Sequence, residues 1–178
     1  MGGRSGQNVN SSGSKTSNVS IEEIQVKGYT GKKLTDEEKK YFSEFAQKVI
    51  KNYGIEGDVK INTYYKKDNA AGSYNIKVMK PDGTFYGSSY KTEEISINLK
   101  NLKTKEDIER NIKHELKHAH QGQNGLYIKH ESDGSRNFYW KGEKFGSVSA
   151  VHKLMGKHET YMKLPWEIDA RSTEKDKY

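Results

Sequence analysis

The stretch His114-Glu115-Leu116-Lys117-His118 decides how this chain is read. It has the form H-E-x-x-H. On a helix, residues four apart share one face, so both imidazoles can grip a single metal ion. Glu115 stands one step round from that pair. From there it reaches a water beside the metal rather than the metal itself, which is where a general base has to be.

The flanking residues predict the helix that this geometry needs. Thr104-Lys105-Glu106-Asp107 places a hydroxyl cap ahead of acids in the first turn, which suits the helix dipole. Ile108, Ile112, Leu116 and Ala119 recur at helical spacing and form a core stripe, and the His114/His118 pair points off that stripe. The helix is expected to run through Gln121 and to stop at Gly122 or Gly125. Just upstream, Ile95, Ile97 and Leu99 alternate cleanly and predict a half-buried strand over 94–99.

Further out, Thr35-Asp36-Glu37-Glu38 is a capping box. Phe42, Phe45, Ala46, Val49, Ile50 and Tyr53 follow as an apolar stripe, with Gly54 as the stop. Strands are expected over 58–66, 73–79 and 84–90, the first two joined by a hairpin loop at 68–72 and the last two by a turn at Pro81-Asp82-Gly83. Residues 126–147 are mixed, with aromatics at Phe138-Tyr139-Trp140 and turns at Asp133-Gly134 and Lys141-Gly142. A helix is expected over 148–162, and a short one over 166–173 with Pro165 at its start.

Composition narrows the classes. The 178 residues fit one domain plus a tail, and only 31% are apolar, so the core is modest. Residues 1–20 are rich in Gly, Ser and Asn and read as a flexible leader, leaving 21–178 as a single domain. They contain no secretory or anchoring run, and no later stretch is apolar enough to span a bilayer. The chain is expected to be soluble and cytoplasmic, or cargo carried by some larger assembly. The charge of +7 and twelve Tyr suit an acidic partner, but solvated lysine faces account for them equally well, so nucleic acid is the less favoured partner. Without cysteine, disulfide scaffolds, thiolate metal sites and thiol catalysis are excluded, and metal ligands must be nitrogen or oxygen.

Two histidines do not complete a catalytic zinc site, which takes three protein ligands and leaves one position for water. Gln121 and Asn124 stand where the H-E-x-x-H-x-x-G-x-x-H arrangement needs Gly and His, so that class is excluded. Glu167, His130, His152 and His158 remain as third ligands. His120 points to another face. His152 and His158, six apart, do not align on a helix.

His114 to Gln121 (HELKHAHQ), followed by Leu164-Pro165-Trp166-Glu167-Ile168-Asp169-Ala170, resembles the zincin-like, gluzincin-type metallopeptidases encoded by phages and mobile elements. In these an H-E-L-x-H-A-x-Q segment precedes a P-x-E-x-x-A-like one. Trp140-Lys141-Gly142-Glu143-Lys144-Phe145 is similar to the W-x-G-x-x-aromatic piece that lies between them. The resemblance covers roughly residues 95–171. It implies an α+β zincin-like fold: an N-terminal helix, a small sheet of three or four strands, the motif helix and a C-terminal helical part. It implies one zinc ion on His114, His118 and Glu167, Glu115 as base, and a protein or peptide substrate. Asp169 and Arg171 are candidates for holding these ligands, and Tyr161 and His158 for stabilising an oxyanion. The strand over 94–99 is expected to border the cleft and pair with substrate. Proteases of the SprT/Spartan type carry a third His in front of aromatics, which His130 loosely resembles. The rival readings are a non-catalytic zincin-fold structural or binding protein and a basic, DNA-associated protease.

Overall fold

Val59, Ile61, Ile95 and Ile97 lie side by side in two parallel strands, all facing the same way and almost wholly buried. A computed structural model describes residues 17–67, 70–87 and 92–174. Around this pair grows a four-stranded sheet in the order β1 (Val19–Glu23), β2 (Asp58–Tyr64), β5 (Thr92–Asn98), β3 (Gly72–Tyr74). The first three strands are parallel; β3 closes the row antiparallel, at the edge. By register, Val19 and Ile21, Val59 and Ile61, Glu93, Ile95 and Ile97, and Gly72 and Tyr74 share one face. The other face carries polar partners such as Lys60 with Glu22 and Asn62 with Glu94. The apolar residues thus lie on one side of the sheet, and the other side buries polar ones, Asn62 and Asn98.

Two helices cover the apolar side. In α1 (Asp36–Tyr53) the Thr35 capping box forms as expected, and Phe42, Ala46, Val49 and Ile50 are buried. In α2 (Lys105–Gln123) Thr104 caps Asp107, and Ile108, Ile112, Leu116 and Ala119 enter the same core. The helix runs through Gln121 as expected and is capped at Asn124, between the two expected stops Gly122 and Gly125; Gly122, inside it, leaves room for the Tyr74 hydroxyl, which a Cβ there would meet at 2.1 Å.

A second sheet follows in the order β4 (Val78–Met79), β6 (Tyr127–His130), β7 (Arg136–Trp140), β8 (Glu143–Ser147). The β7–β8 turn, Lys141-Gly142, has positive φ at both residues, the pairing that matches strand twist in a two-residue hairpin. Helices α3 (Val148–Met155), α4 (His158–Tyr161) and α5 (Pro165–Ser172) complete the chain. Leu126, Ile128, Phe138, Val151, Leu164 and Trp166 form this sheet's own core.

The α+β class holds, with five helices among the described residues. Several finer expectations do not. There are two four-stranded sheets in place of one. The strand expected over 73–79 is two strands in different sheets. Strand β2 pairs with β5 and not with β3, so no hairpin joins β2 to β3. Of 84–90, Phe85 makes an isolated bridge to Met79, and 88–90 lie outside the described residues. The segment over 94–99 is no edge: β2 and β3 occupy both its sides. The helix over 148–162 is interrupted at Gly156. Residues 1–16 lie outside the described residues, but the leader as drawn ran too far, since Val19 and Ser20 belong to β1.

The sheets are bridged by a buried ion pair. Lys77, ahead of β4, reaches Glu93 of β5 at 2.5 Å, and the Tyr74 hydroxyl and Gln123 amide donate to the same carboxylate at 3.1 and 2.8 Å. Burial, then the Glu93 charge, drives the Tyr74 phenol far above its usual range, which keeps it a donor.

Gly122→Ala would normally favour a helix. Here the methyl group collides with a hydrogen-bonded ring, so urea denaturation is expected to show a loss of about 1–3 kcal/mol, the usual cost of overpacking. A gain in stability would show that Tyr74 is free to move.

Candidate metal centre

Helix α2 turns His114, Glu115 and His118 inward, and all three are nearly buried. The third group arrives from α5. Trp166 stacks on Phe138, with ring centres 5.8 Å apart, and meets Phe145 at 5.0 Å and Trp140 at 6.1 Å. The hairpin aromatics at 140 and 145 therefore clamp the residue next to Glu167. Ala170, fully buried and one turn on, packs with them as α5 lies against α2. Glu167 is thereby carried into the space between the two imidazoles.

Four ligand atoms from three residues converge there. His114 Nε2 and His118 Nε2 are 3.1 Å apart; Glu167 Oε2 lies 3.5 Å from the first and Oε1 3.2 Å from the second. Among the described residues this is the group whose ligand atoms all fall within 4.8 Å of one another. Zinc bonds of about 2.0–2.1 Å in tetrahedral array place neighbouring ligands about 3.3–3.4 Å apart, and the three observed separations bracket that spacing.

The hydrogen bonds behind the rings fix their tautomers. Gln121 Nε2 donates to the Trp166 carbonyl (2.9 Å) and to Asp169 Oδ2 (2.7 Å), so its oxygen must face His118 Nδ1, at 2.8 Å. That nitrogen therefore carries the proton in the neutral ring, and Nε2 is bare. His114 Nδ1 faces Glu174 Oε1 at 3.0 Å, which leaves its Nε2 bare as well. Two lone pairs and a carboxylate point into one space, and Glu167 Oε2 is buried without a hydrogen-bond partner. Such an arrangement could hold a cation. The residues fit one divalent ion with nitrogen and oxygen ligands.

Burial pushes the Glu167 carboxyl up, but the His114 and His118 imidazoles set against it outweigh that and hold the group well below the carboxylate range. At the end of α4, burial and then the nearby Glu167 carboxylate raise the Tyr161 phenol. Glu115 is lifted to about 7 by burial, against the pull of His118 and Arg171. Its neighbour across the gap is Gly72 of β3, where a side chain would meet Oε1 at 2.5 Å. The edge strand can pass the carboxylate only because residue 72 has no Cβ.

The other predicted residues are dispersed. His130 lies in β6, where Nδ1 is 3.4 Å from the Tyr86 hydroxyl and the two rings meet at a tilt, so it belongs to the second sheet and is no third ligand. His152 and His158 are exposed, His152 packing edge-on near Phe138. His120 packs near Tyr53, away from the pair. Asp169 acts at one remove, through Gln121, and sits 3.5 Å from Lys117. Arg171 pairs with Glu174, at 3.7 Å, and not with Glu167. Gln121, Glu174 and Gly72 are not among the site residues expected from the sequence, although Gln121 closes the motif segment. Gln121 carried a signal, its place one turn after His118; Glu174 and Gly72 carried none.

Comparison with protein-family models, with curated proteins and with solved structures returns no match to this chain.

The raised Glu115 pKa sets a pH dependence in metal-stripped protein. The unfolded chain releases this proton near 4.5 and the folded one near 7, so stability present below pH 4.5 is lost as pH rises between them. Glu115→Gln has no such proton. Relative to the parent, it is expected to gain on the order of 3 kcal/mol between pH 4.5 and pH 8, read by urea denaturation in the presence of chelator. A constant gap at both pH values would show that the carboxyl is not shifted.

Proposed function

We propose that this chain is a zinc-dependent peptidase of the zincin-like class, hydrolysing peptide bonds in a protein or peptide substrate. The observation that carries the reading is one triangle of bare donors, His114, His118 and Glu167, with a buried, unligated carboxylate, Glu115, beside it. The sequence resemblance assigns the same four residues the same roles.

Zinc on these donors supplies Lewis acidity, which brings water towards neutrality as a nucleophile and polarises a carbonyl oxygen. Glu115 takes the proton from the attacking water and passes it to the leaving amine nitrogen. The Tyr161 phenol stays protonated and can donate to the oxygen on which charge develops, and the Arg171 guanidinium adds positive charge near Glu115 and Tyr161. The strand that offers a free edge next to Glu115 is β3, so an extended substrate would pair along Gly72–Tyr74 and not along β5.

Glu115→Gln keeps the shape and removes the base. Zinc content by elemental analysis is expected to stay at one equivalent per chain, while cleavage of an unstructured protein substrate falls about 10²–10⁴-fold. Undiminished proteolysis by this variant would end the assignment.

A further inference from the structure

The two imidazoles are braced by unlike groups. His118 leans on a neutral amide, Gln121, whose orientation is locked by two acceptors from α5. His114 leans on a full carboxylate, Glu174, in the turn that follows α5. That turn is tied down independently of the Glu174 side chain. Its main-chain carbonyl at 174 accepts from the Lys113 ammonium, the neighbour of His114. Arg171, one turn back, lies 3.7 Å from the same carboxylate oxygen that faces His114.

A carboxylate at Nδ1 does three things that an amide or water does less well. It holds the proton on Nδ1 and so keeps Nε2 bare. It resists a ring flip, which would put Cε1–H where Nε2 now faces Glu167. It also pushes electron density across the ring and makes Nε2 the stronger donor. We propose that Glu174 is the positioning residue for His114, and that the α5 turn serves as the brace of the first histidine as well as the source of the third ligand. This rests on the metal-site reading above. It makes α5 with its following turn the assembling element of the centre: Glu167, the Trp166 carbonyl, Asp169 and Glu174 all come from nine successive residues.

The test is zinc affinity of the full chain, measured by competition with a chromophoric chelator. Glu174→Ala is expected to weaken zinc binding about 10–100-fold, and Glu174→Gln, which keeps an acceptor without the charge, by less. Both variants retain the main-chain contact to Lys113, so the turn should still fold. Ring-nitrogen NMR of zinc-loaded protein supplies a readout that general loosening would not give: the His114 Nδ1–H signal should move in both variants while that of His118 stays in place. Affinities within about two-fold of the parent, with an unmoved His114 signal, would overturn the role of Glu174. Failure of the parent chain to take up zinc would instead overturn the metal reading itself, and the two failures are told apart by the parent alone.

Discussion

Everything at the centre depends on a repulsion that the fold is built to withstand. Two imidazole nitrogens stand 3.1 Å apart with their protons held on the far sides of the rings, and a carboxylate completes the triangle. Left to themselves, these groups would turn away or take up water. Packing prevents both. Leu116 and Ala119 pin α2 to the sheet, Trp166 pins α5 among aromatics, and the braces at Gln121 and Glu174 leave the rings no alternative orientation. The stability of the two cores is what holds three mutually unfavourable donors in register.

The larger core supplies this rigidity in a simple way. Isoleucines and valines alternate along β2 and β5, so that one face is apolar, and the two amphipathic helices lie on it. Glycine then sets how closely they approach. Gly72 lets the edge strand pass Glu115, and Gly122 lets α2 continue past Tyr74. Each is a place where the absence of a methyl group decides the position of a functional side chain.

What could be read from the sequence follows the range of the forces involved. The capping boxes at Thr35 and Thr104 and the stripes behind them are local, and both helices stand where the periodicity put them. His114 and His118 share a face because helical spacing alone requires it. Glu167 was reached through a motif and not through physics: nothing near residue 167 announces that it meets a helix fifty residues earlier. The sheets were the hardest to read. Parallel pairing of β2 with β5 is a long-range contact, and the short strands 72–74 and 78–79 look like one segment until tertiary packing sends them to different sheets. Glu174 lay beyond any local rule, since its partner is 60 residues away.

The donors are split between the two cores: both histidines ride on the larger, and the glutamate rides on the smaller beside Trp166. The triangle is thus a gauge of how the halves dock. A tilt of one core against the other by a few degrees would widen two of its sides and leave the third, between the histidines of a single helix, unchanged. Anything that strains the seam between the sheets, such as a change at the Lys77–Glu93 bridge, is transmitted to the centre as a change in reach of one carboxylate.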